Sequence, residues 1–182
     1  MKSITLTINE KEYKASVISF VGEVLSVIMD ELVEFEAAQS IAYSYEGKRS
    51  SVRVLRAEGK KVLILVPYHS LNILGERRQF PRYRLDMHMK LISESGEEFD
   101  VLTNNLSIYG AGIITGKKLM PGEYRFELTG LDISGKINLS DYKHGNYGGE
   151  FVSMTRLSNF ELRRIILNHQ LELMDAVEEN VS

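Results

Sequence analysis

"LDMHMKLI", residues 85–92, alternates without a break: Leu85, Met87, Met89 and Leu91 share one face, and Asp86, His88 and Lys90 share the other. Successive side chains of a β-strand point to opposite faces, so a period of two predicts a half-buried strand with the four apolar residues inward. The pattern recurs on both sides. Downstream lie "FDVLTNN" (99–105), "GAGIIT" (110–115), "EYRFELTG" (123–130), "LDISGKINL" (131–139) and "YGGEFVSM" (147–154), with Tyr124, Phe126 and Leu128 on one face. "SESGEE", "MPGE" and "KHGNYGG" supply the turns between them.

Upstream, "SITLTI" (3–8), "YKASVISF" (13–20), "GEVLSVIM" (22–29), "SIAYSY" (40–45), "SVRVLRA" (51–57) and "VLILVP" (62–67) form a second series. Short strands at hairpin spacing predict small antiparallel barrels or sandwiches, and closure into a barrel removes exposed strand edges. The expected fold class is all-β: two small antiparallel β-barrels in tandem, the second carrying a C-terminal α-helix. The expected domains are 1–74 and 75–182.

"SNFE", Ser158 to Glu161, has the form of a capping box that opens this helix. Leu162, Ile165, Ile166, His169, Leu173 and Val177 then recur at helical spacing, and the stripe is expected to lie on the second barrel. Its width, with Leu167, Leu171 and Met174, leaves room for a partner or a second copy.

The chain has 182 residues and a formal net charge of -3. Its charge is uneven. From Arg77 to Lys90 there are five basic residues and one acid, a local balance of +4 that leaves -7 for the remainder. A focused positive patch on an acidic protein fits a compact anionic ligand better than a long polyanion. There is no cysteine, so neither disulfides nor thiol chemistry enter, which fits a reducing compartment. Met1-Lys2 leads directly into a strand pattern. The longest apolar stretch, Val17 to Met29, is interrupted by Ser19, Gly22, Glu23 and Ser26 and falls short of the about 20 apolar residues a bilayer needs. The expectation is a cytoplasmic protein with no membrane span.

The basic cluster is "ERRQFPRYR", residues 76–84, in a polar segment between the two strand series. By itself it admits four readings: a solvated charge run, a nucleic-acid patch, an anionic ligand clamp or a membrane-surface contact. Pro81 biases Phe80 to an extended conformation, suited to a loop lying across a barrel mouth.

Arg78 and Arg82 have the spacing R-x-x-x-R, with Arg77 just before; "NLSIYG" places Asn105, Ser107 and Gly110 at N-x-S-x-x-G; and "GEF" (149–151) precedes the helix. In this order the motifs resemble the PilZ domain, a bacterial receptor module for cyclic di-GMP, over roughly residues 76–175. The leading strand series resembles the N-terminal barrel of flagellar-brake PilZ proteins. The resemblance implies a cyclic di-GMP site formed by Arg77, Arg78, Arg82, Asn105, Ser107 and Gly110, with Gly112 and Gly149 as further contacts. It also implies that Arg77 goes with an intercalated ligand dimer, that motility is controlled through a protein partner such as a flagellar motor component, and, as an alternative output, that exopolysaccharide or adhesion is regulated.

The residue types suit that chemistry. A guanidinium is planar and always charged; it grips phosphate bidentately, stacks on a purine and donates to guanine O6 and N7. Asn105 both donates and accepts, so it reads base edges or holds an arginine. The Ser107 hydroxyl can bond a phosphate or the loop backbone, and Gly110 provides a positive φ or a close backbone approach. Ligand binding is expected to order the segment from Gly75 to Arg84 and change the arrangement of the two barrels.

An enzyme is not expected. His69, His88, His144 and His169 are scattered without metal-ligand spacing. Ser107 lacks the G-x-S-x-G of a nucleophile elbow. Glu94, Glu97 and Glu98 read as a solvated turn. The alternative from another class is a nucleic-acid-binding regulator, since small barrels use basic and aromatic surfaces for single strands; the acidic remainder of the chain argues against it.

Overall fold

The computed structural model describes residues 2–36, 38–45, 47–66, 82–143 and 145–179. Among these the chain forms twelve strands and one helix. The first six strands are β1 (Ser3–Ile8), β2 (Lys11–Val21), β3 (Val24–Met29), β4 (Ser40–Tyr45), β5 (Lys48–Glu58) and β6 (Lys61–Leu65). They close into a barrel in the order β1-β2-β3-β6-β5-β4. The next six are β7 (His88–Ile92), β8 (Glu98–Ser107), β9 (Gly110–Ile114), β10 (Gly122–Leu128), β11 (Ile133–Lys143) and β12 (Asn146–Met154). They close in the order β10-β11-β12-β9-β8-β7. Two antiparallel barrels with a C-terminal helix, α1 (Arg156–Glu179), are the expected fold class.

Alternation builds each core. In the first barrel Ile4, Leu6 and Ile8 of β1 point inward onto Val27, Tyr43, Val54 and Ile64. The β1–β2 hairpin turns through Asn9 and Glu10, both at positive φ (48° and 66°), as the tight turns matching strand twist require. In the second barrel Met89, Leu91, Tyr124, Phe126 and Leu128 are buried as their alternation predicts, while Leu85 and Met87 pack half-buried against the same core and His88 is exposed. Phe126 stacks on Phe151 with ring centroids 4.8 Å apart.

The helix differs from its expected form at both ends. Its cap is Thr155, not Ser158: the Ser158 N–H donates to Thr155 Oγ1 at 3.0 Å. Ser158, fully inside the first turn, is buried and ties the helix to the entry of β11, donating to the Asp132 carbonyl and accepting from the Ser134 N–H. A buried serine with strand partners cannot also serve as a cap, so the capping box is not formed. The buried stripe is Ser158, Leu162, Ile166, Gln170 and Met174, a four-residue repeat containing two polar members. Leu173 and Val177, expected inward, are exposed at 39% and 41%.

Contacts divide the chain into two compact units, Met1–Pro81 with His169–Ser182, and Arg82–Asn168. The sequence reading assigned the whole helix to the second barrel; its last part groups with the first. Gln170 Oε1 accepts from the Glu23 N–H at 2.7 Å, Met174 sulfur accepts from Ser19 Oγ at 3.2 Å, and Asp175 pairs with Arg56 at 2.6 Å. Met174, expected at an edge open to a partner, is completely buried.

Candidate functional site

The second unit carries a cavity of about 650 Å³ on the outside of its barrel, lined by Arg82, by Asn104 and Asn105 of β8, by Gly112 of β9, by Asn138 and Ser140 of β11, and by residues 146–150 of β12. Pairing registers explain the grouping. Asn105 lies opposite Gly112, Gly112 opposite Gly148, and Gly148 opposite Ser140. One row therefore crosses four strands on the outer face. The next row along the same face is Ser107, Gly110, Glu150 and Asn138. Between them the row Leu106, Ala111, Gly149 and Leu139 turns inward, and its three side chains larger than hydrogen are buried.

Consecutive residues of a regular strand face opposite sides. Asn104 and Asn105 nevertheless both line the cavity, because the β8–β9 ladder is bulged between Thr103 and Asn105. A bulge inserts one extra residue and re-aims the chain. The two amides meet, Asn105 Nδ2 donating to Asn104 Oδ1 at 2.7 Å. Asn105 Oδ1 is buried and has no hydrogen-bond partner among the described residues. An acceptor left unpaired costs roughly 1–3 kcal/mol, and this one belongs to a side chain that lines the cavity.

Glycine makes the floor. A Cβ on Gly112 would stand 2.2 Å from Asn105 Nδ2 and 2.3 Å from Asn104 Oδ1. Gly112 is therefore what lets both amides lie against β9. A Cβ on Gly110 would stand 2.1 Å from the Gly149 carbonyl oxygen. Of the two roles expected for Gly110, the structure shows the close backbone approach; its φ is not among the positive ones.

Arg82 is brought to the cavity by its neighbour. Tyr83 is buried and bridges Leu106, its N–H donating to the Leu106 carbonyl at 2.9 Å and its carbonyl accepting from the Leu106 N–H at 2.8 Å. The chain is thereby pinned beside β8, one residue from Asn105. Arg82 itself is exposed.

Four of the eight site residues named from sequence thus line one cavity: Arg82, Asn105, Gly112 and Gly149. Ser107 and Gly110 do not line it. Ser107 Oγ is engaged in the β8–β9 turn, accepting from the Tyr109 and Gly110 N–H groups at 3.2 and 3.1 Å and donating to the Gly110 carbonyl. Arg77 and Arg78, like Gly75, Phe80, Pro81, His69 and His144, lie outside the described residues.

Asn104, Asn138, Ser140, Asn146, Tyr147, Gly148 and Glu150 were not singled out from sequence. Asn138 and Ser140 alternate with buried Ile137 and Leu139, a pattern shared by any solvent-facing strand. The adjacent glycines 148 and 149 were the stronger signal. Among the described residues no group of histidine, cysteine, aspartate and glutamate side chains could hold a metal ion, and no helix is long and apolar enough to cross a membrane.

No family model matches this sequence, and no curated protein matches it. Solved structures are similar to it along nearly its whole length. The inhibitor of motility MotI/DgrA of Bacillus subtilis is 15% identical, with a TM-score of 0.38, over 94% of this chain and 97% of that one. YcgR of Escherichia coli in complex with c-di-GMP is 11% identical, with a TM-score of 0.44, over 98% and 88%. The MrkH–c-di-GMP complex of K. pneumonia is 12% identical, with a TM-score of 0.44, over 96% and 90%. Two of these three neighbours were thus solved with cyclic di-GMP as a bound ligand.

Proposed function

We propose that this chain is a non-enzymatic, PilZ-type receptor for cyclic di-GMP. The observation that carries this reading is the joining of Arg82 and Asn105 in one cavity, although they stand 23 positions apart in sequence. An exposed guanidinium, an amide oxygen with no partner among the described residues and a glycine floor suit a ligand that combines anionic phosphodiesters with flat bases bearing donors. Arg77 and Arg78 complete the site from the segment before Arg82, gripping phosphate and capping guanine. Charged hydrogen bonds of roughly 1.5–3 kcal/mol each from three arginines, with stacking, reach the about 8 kcal/mol of micromolar binding.

Calorimetry with cyclic di-GMP tests the proposal. Arg78→Ala and Arg82→Ala each weaken binding at least about tenfold, about 1.4 kcal/mol. Wild-type affinity in both variants sinks the assignment, and a stoichiometry of one ligand per chain removes the intercalated dimer associated with Arg77. Binding of short RNA with steep salt and length dependence, in place of cyclic di-GMP, would instead favour a nucleic-acid regulator.

The proposed output is control of motility or surface behaviour through a protein partner such as a flagellar motor component. Ligand acts by ordering the arginine segment between the two barrels. It shifts their arrangement only as far as its differential affinity for the two states allows. Superimposable scattering curves with and without ligand would remove the switch and leave the binding intact.

A further inference from the structure

The cavity floor bears one side chain that phosphate binding does not explain. On β9 and β12 the two outward rows place Gly110, Gly112, Gly148 and Glu150 side by side. Three of these four positions carry no side chain, so Glu150 alone rises from a flat backbone surface. Directly across the β11–β12 ladder stands Asn138, which lines the same cavity. The Glu150 carboxylate forms no ion pair or hydrogen bond with the described residues, and Asn138 is equally unengaged. An ionised carboxylate only accepts hydrogen bonds and repels phosphate. The part of a ligand that lies against it must present donors.

We infer that Glu150 reads the base, selecting guanine, and that Asn138 supports it; the inference rests on the cyclic di-GMP reading of the site. Guanine carries two adjacent donors on one edge, N1–H and the exocyclic amino group, and next to them the acceptor O6. The two oxygens of Glu150 accept the two donors, and the Asn138 amide donates to O6. Adenine offers its amino group beside the N1 lone pair, which sets an acceptor against the second carboxylate oxygen. Cytosine repeats that mismatch, and uracil flanks its single N–H with carbonyls. The glycine floor admits the ring face while the carboxylate reads its edge. A bidentate base contact of this kind is worth a discrimination of tenfold or more between bases.

The test compares cyclic di-GMP, cyclic di-AMP and the inosine analogue cyclic di-IMP by calorimetry on the whole chain. Glu150 is exposed, so Glu150→Gln is expected to keep the fold, checked by its melting curve. The wild-type chain is expected to bind cyclic di-GMP at least about tenfold more tightly than cyclic di-IMP, which lacks the amino group. Glu150→Gln is expected to lower cyclic di-GMP affinity by a similar factor, leave cyclic di-AMP binding unchanged or stronger, and erase the guanosine–inosine difference. Glu150→Asp restores part of the preference. A guanosine–inosine ratio the same in wild type and Glu150→Gln overturns the role of Glu150 even if cyclic di-GMP binds. Absence of cyclic di-GMP binding by the wild-type chain overturns the underlying reading as well, so the two failures are distinct. The inosine comparison in the wild-type chain stands without any variant: equal affinities for the two ligands also overturn the inference.

Discussion

Asn105 donates a hydrogen bond to its sequence neighbour Asn104 at 2.7 Å, within one β-strand. The contact exists because the β8 bulge turns both side chains to the outside of the barrel, and because Gly112 on the facing strand has no side chain to displace them. Polar groups held in this way are pre-organised, so ligand binding loses little to side-chain ordering.

Gly112→Ala and Gly110→Ala should therefore separate binding from stability. The new methyl at 112 meets side-chain amides that can swing away, so cyclic di-GMP affinity falls at least about tenfold with a small change in melting temperature. The methyl at 110 meets the Gly149 carbonyl, a backbone group that cannot move aside, and destabilises by about 1–3 kcal/mol. Paired calorimetry and chemical denaturation check both; a binding defect at 110 without loss of stability would contradict the geometry.

Ser107→Ala should act mainly on the fold. It leaves the Tyr109 and Gly110 N–H groups without their hydroxyl acceptor, at a cost of roughly 1–3 kcal/mol. Asn105→Ala removes the amide that lines the cavity and lowers cyclic di-GMP affinity with little effect on stability. The opposite pattern in denaturation and titration data would return Ser107 to the ligand.

Thr155→Ala removes the helix cap and should cost about 1 kcal/mol. Ser158→Ala should cost at least as much, because it severs the links to both Asp132 and Ser134 in a buried position. Glu161→Ala, which a capping box would make costly, should change the unfolding midpoint little.

Lys136 donates to Glu123 at 2.6 Å, and this hydrogen bond raises its pKa above the ordinary 10.5. A lysine with a raised folded pKa contributes in full below its unfolded value and loses that contribution as pH rises through the folded one. The melting-temperature difference between wild type and Lys136→Met should stay constant from about pH 6 to about pH 9 and shrink only above 10.5. Narrowing of the difference near neutrality would assign it to other groups.

The strands were legible because a period of two survives in nearly every one of them, from Ile4, Leu6 and Ile8 to Tyr124, Phe126 and Leu128. The helix was legible as a helix but not in its face. Gln170 and Ser158 are polar, and no hydropathy pattern announces that Glu23 and Ser134 wait to bond them. The arginine spacing and N-x-S-x-x-G pointed to one end of the cavity. The far wall, Asn138, Ser140 and Glu150, was hidden, because an outward polar residue on one strand looks like any other until its neighbours across the ladder are known.

Sequence by itself determined the two barrels, the terminal helix and the concentration of positive charge between them, since each follows from local periodicity and composition. Tertiary structure alone decided which residues share the cavity. A bulge after Thr103 set the side on which Asn105 emerges, and the register of four strands aligned Asn105, Gly112, Gly148 and Ser140 in one row. Register and bulge position arise from packing between segments distant in the chain, and a one-residue shift in either would send the same side chains to the opposite face.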